Sequence, residues 1–454
     1  MRDVISWLKQ KRIGDSLVRR NPLVYRRVRS DFEGLQDASL EARQQWLESR
    51  LAATLDLARR TAYGKRVRGG ADITTWPFLS KAQVLERPGD HCPRRVSFVA
   101  HATTGGTTGS PLPVVRTLSS VAAEQAAIDY AIGKMNLEAS RAKVAVLRAD
   151  NVKEPSDRRP PFWIFASGGS RLVLSAQHLA VDTLPHYIEA IERFAPDVLW
   201  VYPSALESLC MLLEKTGRRV RVPRVLSSSE VLSDSSWRLA QDVLACRLVD
   251  YYGQAERVAF SLAEQPGRHR FLAGYSFVEL VPVWHEASHS YYEIVGTSLW
   301  NDAMPLVRYR TADTIRLPAS FDNRELSEVA LGLRDFPGVI GRSGEFLLSP
   351  EGTRIIGLNH FPKGTNHVLR LQVVQEAVDE VLIRVLATHR YDHADHDTLL
   401  KNVRAKVPSS MRVDIQRVDA LEATKSGKVP FVIRRPQVKE QFDRSSAASS
   451  TKSQ

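Results

Sequence analysis

Asp197-Val-Leu-Trp-Val-Tyr-Pro203 is a short apolar run halted by a proline, and Ser204-Ala-Leu-Glu207 follows it at once. The run reads as a buried strand. Ser204 with Glu207 three residues later reads as a capping box, which starts a helix that runs to about Thr216 and stops at Gly217. Two more such units follow: a strand from Val222 to Leu226 with a helix from Ser235 to Ala245, then the strand Arg247-Leu-Val-Asp-Tyr-Tyr-Gly253. Val144 to Leu147 is an earlier strand, preceded by a helix from about Ser120 to Ile132. Short apolar strands separated by helices specify βαβ units and a parallel sheet. The expected class is α/β, a large N-terminal domain with doubly wound sheets.

Outward from this centre the pattern changes. Residues 1–95 read as a helical region packed on the large domain, with Leu40, Trp46, Leu47 and Leu51 near helical spacing. Phe277 to Val283, Tyr291 to Thr297 and Thr314 to Leu317 read as strands. Residues 96–343 read as the core of the large domain. Residues 344–435 read as a small mobile α+β C-terminal domain, with strands Val368 to Val374, Val381 to Leu386 and Val413 to Val418 and a helix from about Asp395 to Lys406. Residues 436–454 are polar and serine-rich and read as a flexible tail. No internal repeat is found.

Composition narrows the function. The chain has 454 residues, 43% hydrophobic and 25% charged, which is globular and long enough to bury a core without staples. Cys92, Cys210 and Cys246 are far apart, so neither a disulfide framework nor a Cys-x-x-Cys metal site is written. A cytoplasmic protein with reduced thiols is expected. No apolar run reaches the ~18 residues of a spanning helix. Lys and Arg number 63 against 51 Asp and Glu, net +12, and residues 1–30 hold nine of the cations against Asp3 and Asp15. That basic N-terminus reads as a solvated helix, with weak peripheral membrane contact as the alternative. No zinc finger or interleaved basic–aromatic pattern supports a nucleic-acid partner.

Five stretches carry the chemistry. His101-Ala-Thr103-Thr-Gly-Gly-Thr-Thr-Gly109 is a loop of glycines and hydroxyls whose backbone N–H groups can wrap a phosphate; no Gly-Lys-Ser/Thr follows, so it is not a Walker A loop. Asp250-Tyr-Tyr-Gly-Gln-Ala-Glu256 ends one strand and Ser227-Ser-Ser-Glu230 its neighbour, on the edge where open α/β sheets bind ligands. Arg308, Arg310 and Asp313 lie in a turn-rich segment; a carboxylate there accepts both ribose hydroxyls, or forms a surface ion pair with Arg310. Gly341-Arg342-Ser-Gly-Glu345 sits at the domain junction, and Thr424-Lys-Ser-Gly-Lys428 presents a lysine on a glycine turn.

In this order and spacing the segments resemble the adenylate-forming superfamily, and within it the phenylacetate–CoA ligase-like branch that includes members associated with capsular polysaccharide biosynthesis. The resemblance spans residues 40–435. It implies attack of a small carboxylic acid on the α-phosphate of ATP, release of pyrophosphate, and transfer of the acyl group to a thiol such as coenzyme A. It implies a phosphate loop of Thr103, Thr104, Gly105, Gly106, Thr107, Thr108 and Gly109, with Thr108 counted among the catalytic residues. It places the adenine pocket on Ser229, Glu230, Asp250, Tyr251, Tyr252 and Gly253, with Asp250 accepting from the adenine amine and Tyr252 covering the ring. Glu256 matches a magnesium-linked glutamate, Asp313 the ribose carboxylate and Arg342 an arginine reaching the nucleotide. Lys428 matches the lysine bridging carboxylate and α-phosphate, a donor whose loss costs about 3–4 kcal/mol of barrier. Ser343 to Glu345 match the hinge.

The departures are Leu112 in place of a loop lysine, Ala255 in place of a threonine, Ala312 in place of a glycine, and Gly344 and Glu345 in place of an acidic hinge pair. The alternative readings are an adenylating transferase that passes the acyl group to an amine or hydroxyl in glycan assembly, and a nucleotide-binding descendant without catalysis. His389, Asp392, His393, Asp395, His396 and Asp397 lack an established ligand spacing and read as a solvated loop. Pro160-Pro-Phe-Trp-Ile-Phe-Ala-Ser-Gly-Gly-Ser170 reads equally as an acyl-pocket lining and as a core strand or an aromatic packing element.

Overall fold

The computed structural model describes residues 15–93, 99–103, 112–148, 150, 152–153, 157–342, 347–350, 354–355, 358, 361–424 and 429–438. Helices α1 (Pro22–Gln36), α2 (Leu40–Arg59), α3 (Ala62–Val67) and α4 (Lys81–Glu86) come first. Asn21, Ser39, Thr61 and Ser80 cap them with side-chain oxygens. Part of the basic N-terminal surface is consumed in docking: Arg20 donates through Nε and Nη2 to Asp129 at 2.7 and 2.8 Å, and Tyr25 donates to the same carboxylate at 2.7 Å.

Strands β1 (Ala100–Thr103) and β2 (Pro113–Arg116) form an antiparallel ribbon ahead of helix α5 (Leu118–Gly133). Then come β3 (Val144–Arg148), β4 (Trp163–Ala166), β5 (Arg171–Ser175), helix α6 (Leu184–Phe194), β6 (Val198–Val201), helix α7 (Pro203–Thr216), β7 (Arg224–Ser228), helix α8 (Asp234–Leu244), β8 (Arg247–Gly253), β9 (Phe260–Ala263) and β10 (His269–Phe271). These strands make one sheet, ordered β10-β9-β8-β7-β6-β3-β5-β4. Its centre, β5 through β3, β6 and β7 to β8, is parallel. Alternation along β8 sends Val249 and Tyr251 toward α1, α2 and α5, and Leu248 toward α6, α7 and α8, so helices cover both faces.

Strands β11 (Ser276–His285), β12 (His289–Ser298), β13 (Tyr309–Pro318) and β14 (Val339–Arg342) form a second, antiparallel sheet, with helix α9 (Asn323–Ala330) between its last two strands. The two-residue strands β15 (Leu347–Leu348) and β16 (Arg354–Ile355) open the C-terminal region. There β17 (Val368–Ala377), β18 (Glu380–Ala387), β19 (Arg412–Arg417) and β20 (Val432–Arg434) form a sheet ordered β19-β18-β17-β20, backed by helix α10 (His393–Arg404). The architecture is thus the α/β one expected: a large N-terminal part built on sheets and a small C-terminal domain. No described helix is long and apolar enough to cross a membrane.

Three local expectations are corrected. Helix α7 starts at Pro203 with Tyr202 as a cap that makes no side-chain bond; the Ser204–Glu207 box does not form, because Ser204 N and Oγ both donate to Glu230. The aromatic stretch is not a core strand: β4 lies at the sheet edge with Ile164 and Phe165 exposed, while Phe162 is fully buried and packs on Tyr187 with ring centres 5.9 Å apart. Arg310 does not pair with Asp313; its Nε donates to the buried Glu293 at 2.8 Å.

Candidate active site

β7 and β8 run parallel with Ser227 opposite Asp250 and Ser228 opposite Tyr251, so their C-terminal ends open on one edge of the sheet. Just past β7 the backbone turns through Ser229 at φ +74°, which sends Glu230 back under the edge while Ser229 stays exposed. At the end of β8, Tyr252 OH donates to Asp313 Oδ2 at 2.7 Å and accepts from Gln254 Nε2. One hydrogen bond therefore ties the central sheet to the second sheet.

Asp313 is aimed by a bulge. The β12–β13 register slips between Glu293 and Val295, leaving Thr311 and Ala312 as extra residues on β13. Thr311 Oγ1 donates to Ile294 O at 2.7 Å, and the Ala312 N–H donates to Glu293 Oε1 at 3.0 Å. Ala312 sits at φ +61°, a left-handed conformation, which supplies a physical reason for a glycine at this place. Asp313 is paired in register with Arg342 on β14, bringing two of the expected nucleotide contacts to one point of the backbone; the Arg342 side chain lies outside the described residues.

Asp250 is buried. Its Oδ2 lies 3.5 Å from His269 Nε2, and its Oδ1 has no hydrogen-bond partner among the described residues. Burial pushes the carboxyl up to about 7 and holds the imidazole down at about 4. Near neutral pH the histidine is therefore uncharged, and the contact is not an ion pair. Tyr251 points the opposite way and stacks on Phe260 with ring centres 5.1 Å apart, a packing role. Gly253 lies under the Phe260 ring, which a Cβ there would meet at 3.4 Å.

Glu256 accepts from Tyr309 OH at 2.9 Å. Beside it, Arg116 on β2 donates through Nη2 to Ala255 O at 2.5 Å, and burial among other charges lowers this guanidinium to about 10. Arg257 completes the cluster, donating to Ser120 O at 2.6 Å and lying 3.5 Å from Glu124. Sequence reading missed Arg116, because a single arginine four residues beyond Leu112 follows no pattern. Leu112 itself, at the expected lysine position, is fully buried.

The Glu230 carboxylate, expected in the adenine pocket, is engaged within the chain. It takes Ser204 N and Oγ at 2.9 and 3.1 Å, Arg370 at 3.3 Å and the Val429 N–H at 3.1 Å. Thr103 ends β1 at the entrance of the phosphate-loop stretch. Thr104, Gly105, Gly106, Thr107, Thr108, Gly109, Lys428 and the hinge residues Ser343 to Glu345 lie outside the described residues.

A cavity of about 210 Å³ lies between α5 and the central sheet. Ile128, Ile132, Val144, Val198 and Leu226 make it apolar, and Gln125, Ser140, Ser170 and Arg171 add polar groups. Trp200 lines it and donates from Nε1 to Ser228 Oγ at 3.1 Å, so the indole stands between the cavity and the end of β7. In the His/Asp stretch Asp392 caps α10, and Asp395 accepts from Asn366 N and bonds His367 Nδ1 at 2.6 Å.

A family model described as AMP-binding enzyme matches residues 74–308, more than half the chain. The chain belongs to the AMP-binding enzymes. A second model, CapK C-terminal domain, matches residues 347–435. Protein CapK of Staphylococcus aureus is 19% identical over 378 residues, 80% of each chain. Phenylacetate-coenzyme A ligase of Pseudomonas putida is 26% identical over 236 residues, 48% of this chain and 51% of that one. Among solved structures, 2-hydroxyisobutyryl-CoA ligase in complex with 2-HIB-AMP superposes with a TM-score of 0.57 at 12% identity, covering 88% of this chain and 91% of that one. Together these place the chain in the adenylate-forming superfamily, in its phenylacetate–CoA ligase-like branch.

Proposed function

We propose that this protein activates a carboxylic acid with ATP as an acyl-adenylate and passes the acyl group to a thiol such as coenzyme A. The observation that carries the reading is the Tyr252–Asp313 bond at the joint edge of two sheets, in a chain whose family binds AMP. A carboxylate accepts about four hydrogen bonds, so Asp313 holds ribose hydroxyls as well as Tyr252. Ser229 and Tyr252 border the adenine, with Asp250 as the buried acceptor behind them. Magnesium would be held at Glu256, since it binds few protein carboxylates and keeps phosphate and water ligands. It would supply charge neutralisation at the phosphates. Thr103 to Gly109 would cradle those phosphates, and Lys428 would reach the α-phosphate.

In the first step a carboxylate oxygen bonds to the α-phosphorus and the bond to pyrophosphate breaks. In the second the thiol sulfur takes the acyl carbon, loses its proton and releases AMP.

Transfer to an amine or hydroxyl in polysaccharide assembly is the second reading, favoured by the CapK C-terminal match. Pyrophosphate release across a panel of acids, with and without coenzyme A, separates the two. Thiol-dependent product supports the ligase, pyrophosphate that ignores the thiol supports the transferase, and ATP binding without pyrophosphate rejects both.

A further inference from the structure

Where the small domain meets the large one, the contact is built from buried charge. Leu369 of β17 is buried within the core cluster that lies under α6, α7 and α8. Its carbonyl accepts from Ser233 Oγ at 2.8 Å and Ser236 Oγ at 3.3 Å at the start of α8. The next residue, Arg370, sends Nε and Nη2 to Glu207 at 3.1 and 3.2 Å, Nη1 to Glu230 at 3.3 Å, and Nη2 also to Val231 O at 3.0 Å. The carboxylates of Glu207 and Glu230 are 1% and 4% exposed, so one guanidinium holds two buried anions. Glu230 is the pivot. It also accepts the N–H of Val429, the residue after Lys428.

We propose that Arg370 is a positioning residue for the first half-reaction: it locks the small domain so that Glu230, just past β7, holds the N–H of Val429, the residue that follows Lys428 in the sequence. The inference rests on the adenylation reading above, but the lock has its own physical consequence. Without the guanidinium, two carboxylates are left desolvated with no cation, and the cheapest relief is to undock the small domain and hydrate them. Transfer of the acyl group does not need Lys428 at the α-phosphate, so it does not need the lock.

The test compares the full-length wild type with Arg370→Met, and with Arg370→Met combined with Glu207→Gln, which removes one stranded charge and guards against misfolding. Three quantities are read: ATP–pyrophosphate exchange, single-turnover transfer from a supplied acyl-adenylate to coenzyme A, and the radius of gyration by small-angle scattering. The acid is whichever the wild type turns over. The lock predicts exchange reduced by about tenfold or more, transfer at the wild-type rate, and a larger radius for both variants. Equal loss of both half-reactions would mean a merely structural role and would overturn it, as would no change in exchange. If the wild type exchanges with no acid, the adenylation reading falls and scattering alone decides: expansion in both variants keeps the lock, and an unchanged radius removes it.

Discussion

Ala312 occupies a left-handed backbone conformation with a Cβ, directly before the carboxylate that the nucleotide reading needs most. A non-glycine residue there costs about 1–2 kcal/mol, against the 0.5–1 kcal/mol of chain entropy a glycine would add. Ala312→Gly should therefore stabilise the protein by roughly 0.5–1 kcal/mol, visible as a higher Tm, without moving Asp313; a lower Tm would mean that the alanine methyl makes a contact worth more than the strain. Tyr252→Phe removes the hydroxyl that joins Asp313 and Gln254. The KM for ATP should rise by the worth of a hydrogen bond to a charged group, about 1.5–3 kcal/mol, with the KM for the acid little changed. Asp250 bears on pH. Its folded pKa of about 7 lies above the ordinary 3.8, so its contribution to stability is full below that ordinary value and is lost as pH rises through 7. Asp250→Asn should thus gain on the wild type by a few kcal/mol between about pH 4 and pH 8, at roughly 1.4 kcal/mol for each pH step across that window. Denaturant titrations at both pH values check this, and a constant difference would show that the carboxyl is not raised.

At the scale of elements, strands such as β3, β6 and β8 were legible because each is an apolar run bounded by a turn residue, whereas β1, β2, β5, β9, β10, β14 and β20 were not read. Pro203, Gly217 and Gly253 punctuate them where the structure does. What was not legible depends on partners distant in sequence. Ser204 and Glu207 have the spacing of a capping box, yet Glu230 lies closer to the first turn of α7 and takes both Ser204 donors, while Glu207 turns to Ser236 and Arg370. Trp163 to Ala166 has the composition of a buried strand but ends the sheet, which no local pattern reveals. The β1–β2 ribbon brings in Arg116, whose bond to Ala255 O steadies the segment carrying Glu256. Arg116→Met should lower the rate of pyrophosphate formation by about 1–3 kcal/mol of barrier, the cost of an unmade buried bond. Single-turnover quench measurements would show it, and an unchanged rate would limit Arg116 to packing.

For the whole molecule, two sheets and a small domain converge on one edge, where described residues of three of the five stretches read from the sequence meet and Val429, next to a fourth, bonds Glu230. Asp250 to Glu256, Asp313 with Arg342, Ser229 with Glu230, and the Val429 neighbour of Lys428 are joined by hydrogen bonds or strand register. The phosphate-loop stretch is represented only by Thr103 and the strand after it. The resemblance made this convergence legible, whereas Arg370 at the domain contact carried no motif and had to await the fold. The most direct test of the central claim is ATP–pyrophosphate exchange with the full-length protein over a panel of carboxylic acids. The account predicts exchange that requires an acid and disappears in Asp313→Ala and Lys428→Ala. Saturable ATP binding with no exchange for any acid would contradict it.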